Sequence, residues 1–304
     1  MLVSIIIPCY NVENYIEECL DSVYRQSYKP LEVIAVDNNS QDQTLEKLKA
    51  YQQKQPDLIV IQELKQGAPA ARNKGLYHST GEWIQFLDAD DILLPEKIEN
   101  QIEKLLKSKI HPGLVVGNYK RVNMEGEEIC IYAEGEDMWQ GLLKTRLGIT
   151  SANLWEKELL LRIGGWNESL KSSQETDLMF RLLKSEASII FDSAVNTVIR
   201  SREGSISSTN IENNWSTYID LREQIVEYLI SNNEYTQERK AAAHEILFLA
   251  IRNLYLYNPA KAIQLHKKLI PNNYYPRRYS RAYAFLYRLL GLSKTEKLHQ
   301  LLKN

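Results

Sequence analysis

The sequence has little cysteine: three in 304 residues, Cys9, Cys19 and Cys130. An odd set without metal-ligand spacing excludes a disulfide scaffold and fits a reduced compartment. Glycine is missing where a dinucleotide fold needs it. The turn after the first apolar run reads PCYNVENY, with no G-x-G-x-x-G, and no G-x-x-x-x-G-K-[ST] occurs anywhere. Nicotinamide-type redox enzymes and P-loop NTPases are thereby excluded. No run approaches the ~18 uninterrupted apolar residues of a spanning helix. The start, MLVSIIIPCYNVENY, has no basic leader region, so the expectation is a cytoplasmic chain without signal peptide or membrane span. Internal repeats and low-complexity segments are also lacking. What remains is ordinary globular material, 44% apolar and 25% charged, enough for one large domain with an extension or for two domains.

The net charge of −2 conceals a division. Residues 211–304 carry fourteen Lys and Arg against eight Asp and Glu, leaving −8 for residues 1–210. Within 261–304, ten basic residues face a single acid, Glu296. An acidic body with a basic tail implies two tasks, one of them at an anionic surface.

Along the first half, short β-branched runs alternate with segments of helical period: strands at 3–8, 31–37, 57–62 and 83–88, helices at 13–26, 42–54, 69–78 and from Pro95 to about Ser108. Such alternation predicts a Rossmann-like α/β fold, a mostly parallel central sheet flanked by helices. After residue 112 the pattern predicts two strands around the turn at Met124-Glu125-Gly126, a helix near 136–145, a helix in ETDLMFRLLKS, and two strands in ASIIFD and NTVIRS. From about 213 onward only helices are expected. The predicted domains are residues 1–210, catalytic, and 211–304, an all-helical C-terminal extension.

Ligands of such sheets sit beyond the carboxyl ends of the strands. Those ends read Pro8-Cys9-Tyr10-Asn11, Asp37-Asn38-Asn39-Ser40 and Asp88-Ala89-Asp90-Asp91. On an extended segment residues i and i+2 point the same way, so Asp88 and Asp90 can face one pocket. Their repulsion would be relieved by a hard divalent cation bridging to phosphate. The alternative is a polar turn capping the helix that follows.

With these residues in view, the chain resembles family-2 glycosyltransferases of the GT-A fold. The likeness rests on VSIIIPCYNVENYIEECLDSVYRQSY, EVIAVDNNSQDQT, GAPAARNKGL, GEWIQFLDADD and GGWNESLKSSQETDLMFRL, in that order, over residues 3 to about 207. The resemblance implies an inverting transfer of sugar from a nucleotide-sugar, by family habit a UDP-sugar, to an acceptor hydroxyl in polysaccharide or glycolipid synthesis. It implies Mn²⁺ or Mg²⁺ as cofactor. Pro8 would belong to the donor-binding site, Tyr10 would lie against the base, Asp37 would accept hydrogen bonds from base or ribose, and Arg72 would contact base or diphosphate. Asp88 and Asp90 match the DXD motif, Asp90 as metal ligand and Asp88 on ribose or sugar hydroxyls. Glu175 stands where the family has its general base, although Ser172-x-x-Glu175 also reads as a helix capping box. Asp177 and Arg181 would brace the helix.

Two departures qualify the resemblance. The family often has a second acid where Asn38 stands, and a His where Arg202 falls; an Arg cannot ligate a metal but can pair with phosphate. They keep open an alternative, a nucleotide-sugar-binding protein without turnover. A nucleotidyltransferase is disfavoured because no Gly-rich basic loop follows the first strand.

In the extension, YYPRRYSRAYAFLYRLL (274–290) interleaves aromatics with arginines, Tyr279, Tyr283 and Leu286 sharing a helical face. It predicts a basic amphipathic helix on an anionic membrane, which would suit a lipid-linked rather than a free glycan acceptor and place the protein peripherally on the inner face of the cell membrane. Packing on the body or formation of a homodimer is the competing use. Nucleic acid is not expected, since no binding motif accompanies the charge.

Overall fold

The structure is a computed structural model that describes residues 1–133, 135–201 and 209–302. The chain divides into two compact units, Met1–Gly141 with Thr145–Glu203, and Leu142–Lys144 with Gly204–Asn304.

The first unit is built on one sheet. Strand β1 (Val3–Cys9) lies between β2 (Leu31–Asp37) and β4 (Trp83–Phe86), and β3 (Leu58–Gln62) flanks β2, all parallel. Val3, Ile5, Ile6 and Ile7 are completely buried because helices cover both faces, the reason β1 reads as an unbroken apolar run. Those helices are α1 (Ile16–Tyr24), α2 (Thr44–Lys54), α3 (Ala68–His78) and α4 (Lys97–Lys107). Helix α3 sits so close that a Cβ on Gly75 would lie 2.3 Å from Cγ2 of Ile6.

Beyond β4 the sheet becomes mixed. Among the described residues it has nine strands in the order β3-β2-β1-β4-β8-β6-β9-β5, with β7 (Glu128–Ile131) on β6 (Leu114–Val122). Strand β8 (Leu154–Glu156) is antiparallel to β4 and β6, whereas β9 (Ile189–Arg200) runs parallel to β6 and antiparallel to β5 (Ile92–Leu93). Three elements differ from expectation. The segment SANLWEK holds β8 and leads into a short helix, α6 (Lys157–Arg162), after α5 (Met138–Leu143). The aspartate-rich turn continues into β5 rather than directly into a helix. The two strands expected from ASIIFD and NTVIRS are one, because the interruption is absorbed as register shifts against Gly117–Lys120. Helix α7 (Gln174–Lys184) carries the base candidate.

The second unit is helical: α8 (Ile211–Ser231), α9 (Gln237–Tyr255), α10 (Pro259–Leu269) and α11 (Arg281–Leu301), the last kinked at Gly291, whose φ is 73°. Thr236, Asn258 and Ser280 cap α9, α10 and α11 by accepting from the backbone N–H three residues on. The core gathers Ile219, Phe248, Ile251, Leu254, Tyr283 and Tyr287. Tyr279 and Tyr283, expected to turn toward a membrane, stack instead on each other with the Arg252 guanidinium over both rings. Glu296 is buried here, accepting from Arg252 and from the Tyr283 hydroxyl.

Candidate active site

Pro8 and Tyr10 stand at the carboxyl end of β1, Tyr10 with 43% of its surface open. Asn11 is in the left-handed region at φ 50°, and its side chain accepts from the Gln41 amide while its own amide donates to Ser40. The ends of β1 and β2 are thus pinned to each other.

Asp37 closes β2. It is 1% exposed; Oδ2 accepts from Gln62 at 3.3 Å, and the buried Oδ1 has no hydrogen-bond partner among the described residues. A buried acceptor left unmet is costly unless a ligand completes it. The next residue, Asn38, is a loop clamp. Its Nδ2 donates to the carbonyls of Glu63 and Lys65 at 2.9 and 2.8 Å, and its Oδ1 accepts from the Gly67 amide at 2.7 Å. A carboxylate could make only the last of these bonds.

Helix α3 carries Arg72, buried rather than solvated. Its Nη2 donates to Asp88 Oδ1 at 2.6 Å, Nη1 to Gln174 Oε1 at 3.1 Å, and the guanidinium lies 4.6 Å from the Trp166 ring. Asn73 beside it holds the GGWN turn through the Trp166 carbonyl and amide. One arginine therefore joins the aspartate turn to the start of α7.

The Asp88–Asp91 turn is anchored from below. Asp91, 3% exposed, accepts from the Ser151 hydroxyl at 2.6 Å and from the Arg200 amide at 3.2 Å. The same Ser151 hydroxyl accepts from the Asp88 amide. Burial and the neighbouring Asp88 and Asp90 charges push the Asp91 carboxyl well above its usual range, against the Ser151 and Arg200 bonds. The Asp90 carbonyl accepts from Arg200 Nε, and Arg200 also pairs with Glu18 and lies over the Tyr15 ring. Under the turn, Lys97 is completely buried and donates to Gln85, which donates in turn to the Ser151 carbonyl. The turn does not cap α4: Glu96 is the cap residue and makes no side-chain capping bond.

Glu175 lies in the first turn of α7, half-buried, its Oε1 out of water and unpartnered among the described residues. The capping box does not form. Helix α7 begins one residue later than it requires, Ser173 is the cap at φ 54° without a side-chain capping bond, and Ser172 Oγ has no partner among the described residues. Burial raises the Glu175 carboxyl to about 8; Asp88 adds to the shift, while Arg72 and a hydrogen bond from Thr150 oppose it. Asp177 and Arg181 form an ion pair one turn on, and Arg181 also donates to the Ile163 carbonyl, the bracing expected of them.

The structure thus brings Asp88, Arg72 and Glu175 into one electrostatic neighbourhood, with Asp90 on the same turn. Arg202 lies outside the described residues. Sequence reasoning passed over Ser151, Arg200 and Gln174; of these only Arg200, closing the last strand, had a visible signal. Among the described residues no three His, Cys, Asp or Glu side chains gather to hold a metal ion by themselves. The donor set nonetheless fits a hard cation, since Mg²⁺-like ions take one or two carboxylates and complete their shell with phosphate oxygens and water.

A mixed α/β sheet flanked by helices, with a helical extension, is the architecture expected of a GT-A-like fold. Residues 4–153 match the profile of "Glycosyl transferase family 2". An uncharacterized glycosyltransferase of Rickettsia prowazekii is 31% identical over 233 residues, 72% of this chain and 70% of the relative. The glycosyltransferase GlyA of Streptococcus pneumoniae is 26% identical over 83% of this chain, which spans only 38% of GlyA's length. A UDP-Glc:alpha-D-GlcNAc-diphosphoundecaprenol beta-1,3-glucosyltransferase of Escherichia coli is 38% identical over 40% of this chain and 47% of its own. Among solved structures, S. aureus TarS 1–349 in complex with UDP-GlcNAc superposes with TM-score 0.70 at 22% identity, covering 99% of this chain and 92% of that one. The mannosyltransferase PcManGT of Pyrobaculum calidifontis, with GDP-Man and Mn²⁺, gives TM-score 0.59 at 20% identity over 99% and 86%. The chain belongs to glycosyl transferase family 2.

Proposed function

We propose that this chain moves a sugar with inversion from a UDP-sugar to a hydroxyl of a glycan or lipid-linked acceptor, residues 1–210 acting as catalytic domain and 211–304 as accessory extension. The observation that carries it is the Asp88–Arg72–Gln174 chain of polar contacts, which ends beside a buried, unpartnered carboxyl oxygen on Glu175. Tyr10 offers an exposed ring to the base, with Pro8 at its border, and the unmet Oδ1 of Asp37 accepts from base or ribose. Asp88 meets sugar or ribose hydroxyls, and Arg72, already committed to it, holds it in place. Asp90 would hold Mn²⁺ or Mg²⁺ with diphosphate and water, supplying positive charge where the leaving group gathers negative charge. Arg202 keeps its expected role of pairing with the departing diphosphate.

In the transfer, a Glu175 oxygen takes the proton of the acceptor hydroxyl. The acceptor oxygen so freed bonds to the anomeric carbon on the face opposite the diphosphate, the bond from that carbon to the phosphate oxygen breaks, and its electron pair leaves with UDP. An α-linked donor gives a β-glycoside. UDP as the nucleotide, a lipid diphosphate acceptor and Mn²⁺ draw support from what the TarS, E. coli and PcManGT relatives bind or act on.

Glu175→Gln tests this reading. With UDP-sugars and Mn²⁺, turnover should fall by about 10²–10⁴-fold while donor affinity by calorimetry stays within a factor of two or so. A Gln variant with most of its turnover would remove Glu175 from the reaction. A wild type that binds donor but neither transfers nor hydrolyses it would favour the binding-protein alternative that Asn38 and Arg202 keep open.

A further inference from the structure

The tyrosines expected to face lipid are spent on the helical core, and this leaves another face of α11 to explain. Tyr283, Ala284 and Tyr287 point inward, whereas Phe285 and Leu289, one turn apart, are 64% and 68% exposed. Arg281, one turn before Phe285, and Arg288, three residues after it, are exposed on the same face. Past the kink at Gly291 the arrangement repeats, with Lys294, Lys297, Leu298 and Leu301 exposed at helical spacing. Residues 277–302 contain six Lys and Arg and one acid, Glu296. That acid is 3% exposed and bound to Arg252, so the outward face of the helix carries no negative charge.

We propose that the Phe285–Leu289 face of α11, with Arg281 and Arg288 on its border, is a docking surface for an anionic lipid bilayer. Large apolar side chains in line along one helix suit the shallow acyl boundary, and arginines at their margin reach lipid phosphates. Because the helix's single acid is withdrawn into the core, α11 itself presents no carboxylate to a negatively charged surface. No helix among the described residues is long and apolar enough to cross a membrane, so the contact is one of lying on the surface. The proposal goes beyond the transfer reaction and does not depend on it.

The test uses the full chain and sedimentation with vesicles of 30% phosphatidylglycerol in phosphatidylcholine. Wild type should bind them and lose most of that binding in about 0.5 M salt, because surface electrostatics is screened. Arg281→Gln with Arg288→Gln should weaken binding about fivefold or more, Arg281→Lys with Arg288→Lys should retain it, and Phe285→Gln with Leu289→Gln should abolish it. Each variant should keep the wild-type unfolding temperature and the UDP-sugar thermal shift, which separates failure of this proposal from failure of the transferase reading. The proposal is overturned by absence of binding, by equal binding to pure phosphatidylcholine, or by full binding of the Gln variants. It is also overturned if light scattering shows a wild-type dimer that Phe285→Gln with Leu289→Gln converts to monomer, or if duplex DNA competes vesicles off at equal phosphate concentration.

Discussion

Glu175, the proposed base, shows how burial alters a carboxyl and what that costs the fold. Raised from 4.5 to about 8, it keeps a proton in the folded state through a window where the unfolded chain has lost it. Its contribution to stability is therefore full below about pH 4.5 and is lost as pH rises through about 8. Glu175→Gln, which has no charge to bury and can still accept from Thr150, should escape that loss. At pH 8.5 it should be more stable than wild type, on the order of 1–3 kcal/mol by urea unfolding, and near parity at pH 4.5. Equal pH dependence of the two proteins would show that Glu175 is not desolvated. The same group predicts that kcat/KM of the wild type rises with pH to a plateau above about pH 8, since that profile reports the base of the free enzyme. A limb near pH 4–5 would show that the base is not a desolvated carboxyl.

At the scale of elements, legibility followed burial. The strands β1, β2 and β4 were readable because a strand covered on both faces is largely apolar, and the strand–helix alternation pointed to a mostly parallel sheet flanked by helices. Strand β5 has two residues and β8 three, too short for any periodicity to register, and both exist through pairing with distant strands. The capping box at Ser172 failed because the left-handed Ser173 moves the helix start by one residue, a backbone choice that spacing does not encode. Rim residues were legible as chemical types but not as contacts: Arg72 was expected against the donor and proves to be a buried link between the aspartate turn and α7.

Asn38 carries the same lesson into a prediction. On sequence it is an acid replaced by an amide, a loss of charge at the nucleotide. In the fold its amide nitrogen ties down the β3–α3 loop, holding two carbonyls that a carboxylate would repel. Asn38→Asp should therefore destabilise the protein by about 1–3 kcal/mol and should not tighten UDP binding. Chemical denaturation and calorimetry read both quantities, and an Asp variant of wild-type stability that binds UDP more tightly would restore the simpler account.

For the molecule as a whole, the charge division bears on how an anionic donor is held. Residues 1–210 have a formal charge of −8, and the acids Asp37, Asp88, Asp90 and Asp91 converge on the strand ends. Two of the basic groups nearest the site are committed, Arg72 to Asp88 and Arg200 to Glu18. A diphosphate entering this field would add negative charge to negative charge, so the cation proposed at Asp90 would make the donor's entry favourable as well as assist the chemistry. The consequence is measurable as linkage. At donor concentrations near 100 times Kd, binding should stabilise the fold by about 2.7 kcal/mol, a rise in unfolding temperature of roughly 5–10 °C for a unit of this size. That rise should appear with Mn²⁺ and shrink to a small fraction in EDTA, and Asp90→Asn should reduce the Mn²⁺-dependent part while leaving the ligand-free unfolding temperature nearly unchanged. A shift of equal size with Mn²⁺ and with EDTA would mean that side chains alone balance the diphosphate, and Asp90 would then lose its place as the cation's ligand.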